Sequence, residues 1–149
     1  QDRKVMSPVL ANNMSKEEKH KALGYLLFLK RKRCGKIKGR GCADGRKQRA
    51  YLQKEDATAP TVANESVFIT SAIDAWESRN VAILDVPGAF MHAEIDEILH
   101  LRFTEEAIDL LIEIEPNYQN YVTKENGKNV LYVQLHKALY GTMQAAKLF

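Results

Sequence analysis

The chain has 149 residues, a formal net charge of +3, 45% apolar residues and 28% charged ones. This size and balance fit one globular domain, or a small lobe plus part of a larger one. They exclude a membrane-spanning helix, because no apolar run approaches the roughly 18 residues that a span needs.

Charge is unevenly spread. Lys30 to Lys54 carries eleven basic residues against one acid, Asp44, whereas Glu94 to Glu115 is acidic. A polyanion would be attracted to the first stretch; a solvated charged face is the plainer alternative. Cys34 and Cys42 lack a second pair and a clustered histidine set, so neither a zinc site nor a disulfide framework is expected. The compartment is then a reducing one. His20, His92, His100 and His136 are scattered and receive no task. No secretory leader is visible.

In chain order, Gln1 to Asn13 lacks a period and is expected as a loose arm. Ser15 and Glu18 form a capping box, and Leu23, Leu26, Leu27 and Lys30 extend a helical stripe to about Arg33. Ala43-Asp44-Gly45-Arg46 reads as a turn between two extended basic arms, with Gly35, Gly39, Gly41 and Gly45 breaking the segment. Glycines there let backbone approach a phosphate closely, although a flexible surface loop has the same composition. Tyr51 to Pro60 is an irregular link.

From Asn64, a candidate N-cap, a helix is predicted to Ser78. Val67, Ile69, Ala72, Ile73 and Trp76 fall near its 3.6-residue period and are assigned to the core. Val81 to Leu84 reads as a strand, followed by a Pro87-Gly88 turn and a short helical turn over Ala89 to Glu94. A second strand spans Ile98 to Phe103, then an amphipathic helix from Thr104 to Glu113, halted before Pro116. Asp96-Glu97 is expected as a surface turn, and Tyr118 and Tyr121 as loop or edge residues. Asn126-Gly127 joins strands at Tyr121 to Lys124 and Val130 to Leu135 in the strongest hairpin signal of the chain. Lys137 to Phe149 begins as a loop and runs into a helix. Leu26, Leu99, Leu101 and Leu131 complete the candidate core, and the fold class is α+β.

The chemistry concentrates at Asp85, delivered by the apolar run Val81 to Leu84 and followed at once by a Pro-Gly turn and Phe90. A carboxylate at a strand end is costly to bury unless paired, hydrogen-bonded or bound to a metal. The layout suits a hard cation held against a phosphate. An Asp satisfied by the amides of the next turn is the alternative.

Three blocks in order resemble the reverse transcriptases of copia-type (Pseudoviridae) retrotransposons, over about Lys36 to Phe149. Lys38 to Gln48 is similar to the family run K-A-R-L-V-A-x-G-x-x-Q, with Ala57 to Val62 resembling T-F-A-P-V-A. Asp85 to Glu94 resembles D-V-K-T-A-F-L-N-G-E, and Leu135 to Phe149 resembles L-K-K-S-L-Y-G-L-K-Q-A-P-R-A-W. The departures are Pro87-Gly88 for Lys-Thr, Ala146 for Pro and Phe149 for Trp. The Phe/Tyr-x-Asp-Asp run, with two further catalytic acids, appears nowhere in the chain.

The resemblance implies a partial right-hand polymerase fold: fingers plus an incomplete palm, an antiparallel sheet with packed helices. It divides the chain into an arm and helix over 1–35 and a reverse transcriptase domain over 36–149, cut before the second catalytic motif. Asp85 would be the first catalytic carboxylate and a magnesium ligand, with the Val86 carbonyl beside it. Phe90 would lie under the nucleotide sugar; Lys38 and Arg40 would contact triphosphate or template; Gly141 and Gln144 would line the nucleotide side. Lys36, Arg46, Lys47 and Arg49 would meet nucleic acid. The partners implied are an RNA template, a DNA primer and deoxynucleoside triphosphates, without a membrane, in a retroelement polyprotein that also serves DNA integration. Its place would be intracellular, in the cytoplasm within virus-like particles or in the nucleus.

Two magnesium ions, roughly 3.5–4 Å apart, would stabilise the entering and leaving oxygens of the transferred phosphate. One Asp cannot hold both, so this piece alone is expected to be inactive. The rival reading from another class is a degenerate nucleic-acid-binding module whose carrier is the basic stretch. A third, an unrelated α+β interaction domain, predicts no salt-sensitive binding to RNA·DNA hybrid.

Overall fold

A computed structural model describes residues 4–149, apart from the side chains of Lys54 and Asp56. The architecture is α+β, built on a six-stranded sheet. β1 (Met6–Val9), β6 (Lys128–Lys137), β4 (Glu94–Thr104), β2 (Leu23–Arg31) and β3 (Ile37–Ala43) lie side by side in that order, and β5 (Thr123–Glu125) pairs with β6. Pairing is antiparallel except between β2 and β4, which run parallel through Leu23↔Leu101 and Gly24↔Arg102. The expected all-antiparallel sheet is corrected at that contact.

The core lies on β4 and β6. Leu99, Leu101 and Phe103 alternate with outward residues along β4 and meet Leu131, Val133 and Leu135 of β6. The alternation has period two, as a sheet with one buried face requires. Leu99, Leu101 and Leu131 are core, as expected. Helix α4 (Glu106–Ile114) follows β4, ends before Pro116, and buries Ile108 against this cluster. The β5–β6 hairpin turns at Asn126 and Gly127, with φ of 50° and 79°. Positive φ at both positions matches the right-handed twist of the flanking strands. Tyr118 and Tyr121 sit in a 3₁₀ stretch, Pro116–Tyr121, and pack onto the core rather than on a free loop.

The N-terminal region departs from expectation. Residues 1–3 of the expected arm lie outside the described residues, but Met6–Val9 is an edge strand on β6, with Pro8 opposite Val133. An edge tolerates a proline because its missing N–H faces away from the ladder. The capping box is present, yet α1 covers only Lys16–Lys21. A helix that short is unstable alone. The apolar run after it pairs with β3 instead, and Leu23 and Leu27 fit either period. Leu26, assigned to the core, is exposed on β2.

β2 leaves the sheet after Gly24 and projects with β3 as a two-stranded ribbon. Its turn is at Lys32 to Lys36, with Gly35 at φ 81°, not at Ala43 to Arg46. The division drawn after residue 35 falls in this turn. Asp44 instead caps a 3₁₀ stretch, Gly45–Ala50. Asp96-Glu97 lies within β4, at a register shift between Glu94 and Leu99, rather than in a surface turn.

After a short α2 (Lys54–Ala57), helix α3 covers Asn64–Trp76, with Ala63 rather than Asn64 in the N-cap position. Its apolar residues do not form core: Val67, Ile69 and Ile73 are exposed and Trp76 is 90% exposed. Val81 to Leu84 is irregular chain without a ladder, not a strand, and Ile83 is 95% exposed. Residues 61–87 are all exposed except Asp74. The periodic pattern is real, but among the described residues no strand or helix covers it. A 3₁₀ turn follows at Ala89–His92, and the chain closes with α5 (Ala145–Leu148). Among the described residues no helix is long and apolar enough to cross a membrane.

Candidate nucleic-acid interface

The ribbon is shaped by its glycines. Register pairs Tyr25, Leu27 and Leu29 of β2 with Ala43, Gly41 and Gly39 of β3 on one face. A Cβ on Gly41 would overlap the Tyr25 hydroxyl. Its absence lets the Tyr25 ring fold over the ribbon and stack on Phe103, centroids 4.3 Å apart and 26° between planes. Burial pushes the Tyr25 phenol up. The other face carries Phe28 opposite Arg40 and Lys30 opposite Lys38.

Between the ribbon, the sheet and α4 lies an open groove of about 890 Å³. Its floor is apolar, with Tyr25, Leu101, Phe103 and Leu135 below and Leu110, Leu111 and Ile114 of α4 at the side. Its rim takes in Lys38 and Arg40 of β3, whose side chains stand on the ribbon face opposite Tyr25, and Asp85 and Val86 from the chain before the Ala89–His92 turn. Gly88, at φ 64°, gives the sharp bend that returns this chain toward the sheet. Asp85 is exposed rather than buried at the end of a strand.

Phe90 lies next to this rim. Its ring meets Tyr140 edge-on at 4.7 Å and 61°, and Phe149 at 6.2 Å and 78°. Tyr140 itself lines the groove. Gly141 and Gln144 do not line it. Gly141, at φ 89°, is pressed on Ala43, and Gln144 is half-buried at the start of α5.

The remaining basic residues divide. Lys36 and Arg49 are exposed, at the ribbon turn and in the 3₁₀ stretch. Arg46 forks onto Asp44, with Nη2 to Oδ2 at 2.6 Å and Nε to Oδ1 at 2.8 Å. That guanidinium holds the Asp44 carboxyl down at about 2. Lys47 Nζ donates to the carbonyls of His20 at 2.6 Å and Ala22 at 3.0 Å, tying down the C-terminal end of α1. Favourable cation placement at a helix C-terminus accounts for it.

Among the described residues no three His, Cys, Asp or Glu side chains come close enough to hold a metal ion. Asp85 offers one carboxylate, so these residues do not by themselves fit a two-magnesium centre.

Tyr140, Tyr25 and Gln48 were missed as site residues. The aromatic before Gly141 and the glutamine three residues after Gly45 stood inside the quoted blocks, but nothing in their types distinguished them from packing.

Residues 12–149 match the sequence model of the reverse transcriptase (RNA-dependent DNA polymerase) family. The chain belongs to that family. The match is to its copia-type branch, and membership implies, in general terms, a nucleic-acid template and nucleotide substrates. No curated protein and no solved structure matches the chain.

Proposed function

We propose that this reverse transcriptase chain binds an RNA template paired with a DNA primer in the groove, together with an incoming deoxynucleoside triphosphate. The observation that carries the reading is the convergence on one groove of Lys38, Arg40, Asp85 and Val86, residues far apart in sequence. Lys38 and Arg40 neutralise phosphate charge from the ribbon face beside the groove, which gives affinity a strong dependence on salt. The apolar floor and the edge-on Phe90–Tyr140 pair give a rigid surface against which a sugar is sorted by shape.

Asp85, with the Val86 carbonyl, is the magnesium-binding group of this reading, and a single carboxylate does not hold two ions. Magnesium would supply charge stabilisation to the transferred phosphate. By itself the chain binds and does not polymerise. Robust primer extension by the purified chain, abolished in Asp85→Ala, would overturn that part.

Binding is tested by fluorescence anisotropy with an RNA·DNA hybrid over a range of salt. Lys38→Ala combined with Arg40→Ala should lower the slope of log affinity against log salt by about two, one per phosphate contact. An unchanged slope returns these charges to plain solvation and defeats the reading.

A further inference from the structure

The turn after β6 is seated on the root of the ribbon, and one side chain closes the joint. Ala43 N–H donates to the Tyr140 carbonyl at 2.7 Å. A Cβ on Gly141 would overlap the Ala43 carbonyl oxygen, and one on Gly45 would overlap that of Gly141. Two backbones therefore touch where side chains are absent. Gln48 fills the space beside them, 0% exposed, and its Oε1 accepts from the Met143 N–H at 2.9 Å.

That bond fixes the amide's orientation, since only its oxygen can accept. Nε2 is enclosed and makes no well-formed hydrogen bond, although the Gln48 amide acts on the Tyr51 phenol, opposing the upward push of burial there. A poorly met buried donor is costly, and a methionine of similar volume would avoid it. The offset is the hold of the oxygen on the turn. From there the connection reaches the groove: the turn carries Tyr140, and Tyr140 braces Phe90.

We propose that Gln48 is a positioning residue. By locking the 139–144 turn onto the ribbon root it sets Tyr140, and through Tyr140 sets Phe90 against the nucleotide sugar. The inference rests on the groove's reading as a nucleotide site, and the experiment separates the two.

In the full 149-residue chain, Gln48→Met should speed hydrogen exchange at the Met143 amide by about tenfold, the loss of one hydrogen bond. The same variant should lower the ratio of dGTP to GTP affinity several-fold. A merely structural role would weaken both nucleotides alike. Gln48→Asn, too short to reach Met143 but still an amide, should act in the same direction and replaces Gln48→Met if that variant fails to fold. Unchanged Met143 exchange, or an unchanged dGTP to GTP ratio in a folded variant, overturns the role of Gln48. Equal binding of dGTP and GTP by the unaltered chain overturns the sugar-sorting reading instead, while the exchange measurement still judges the joint.

Discussion

The run from Val81 to Leu84 is more apolar than β4, yet Leu101 is fully buried and Ile83 lies in solvent. The difference is one of neighbours. β4 is flanked by β6 and β2, and α4 folds back over it. The 81–84 run follows a helix whose own apolar side chains are exposed, so neither supplies a surface to the other. Apolar periodicity marks a segment as able to be buried; a second segment decides whether it is.

The largest expected effect sharpens this contrast. Leu101→Ala should destabilise the chain by about 2–5 kcal/mol in urea unfolding, through lost transfer energy and a cavity. Ile83→Ala should stay within about 0.5 kcal/mol. Equal effects would mean that the 81–84 run is packed after all.

Next come two glycines with positive φ in different surroundings. Gly141→Ala should cost about 2 kcal/mol or more, because backbone strain adds to the overlap with Ala43. Gly127→Ala should cost only about 1 kcal/mol, since open space surrounds that turn. Similar losses would remove the ribbon joint from the account.

Smaller still is a pH effect from His100, buried on β4. Burial holds its pKa below the usual histidine value, and Glu18's charge partly opposes this. The unfolded chain therefore binds the proton more readily than the folded one. Stability is full above about pH 6.5 and declines as pH falls through that value and below it. His100→Gln should flatten the dependence of the urea midpoint between pH 7.5 and pH 5.5 (values chosen about the free histidine pKa). A dependence that persists would assign it to other groups.

The smallest effect is at Trp76. Trp76→Ala should shift stability by no more than about 0.5 kcal/mol. As the chain's single tryptophan, it should emit as a hydrated indole and be quenched freely by iodide. Protected emission would show that α3 has found a partner.

Much of the sheet was legible because its signals are local. Asn126-Gly127 dictated the hairpin, the alternation of Leu99, Leu101 and Phe103 gave β4, and Pro116 bounded α4. The ribbon was not, because Leu23 to Leu29 satisfies a helical stripe as well as a strand. Only the glycine-thinned partner, reached through the turn at Gly35, decides between them. Of the candidate site, Lys38, Arg40 and Asp85 were named from the quoted blocks, and their common groove depends on long-range pairing that composition does not encode. Lys47 shows the reverse: its basic character read as a nucleic-acid contact, while its amine is engaged with two carbonyls of the protein. The role of Gln48 was hidden for a related reason, since its partner Met143 is remote in sequence.

The central claim is that primer–template lies in the groove between the ribbon and the 85–91 turn. It is tested most directly by titrating an RNA·DNA hybrid into the isotopically labelled chain and mapping amide shifts by NMR. The account predicts shifts at Lys38 to Gly41, Asp85 to Met91 and Leu139 to Gly141. Shifts confined to the ribbon tip at Lys30 to Lys36, or none at all, would contradict it.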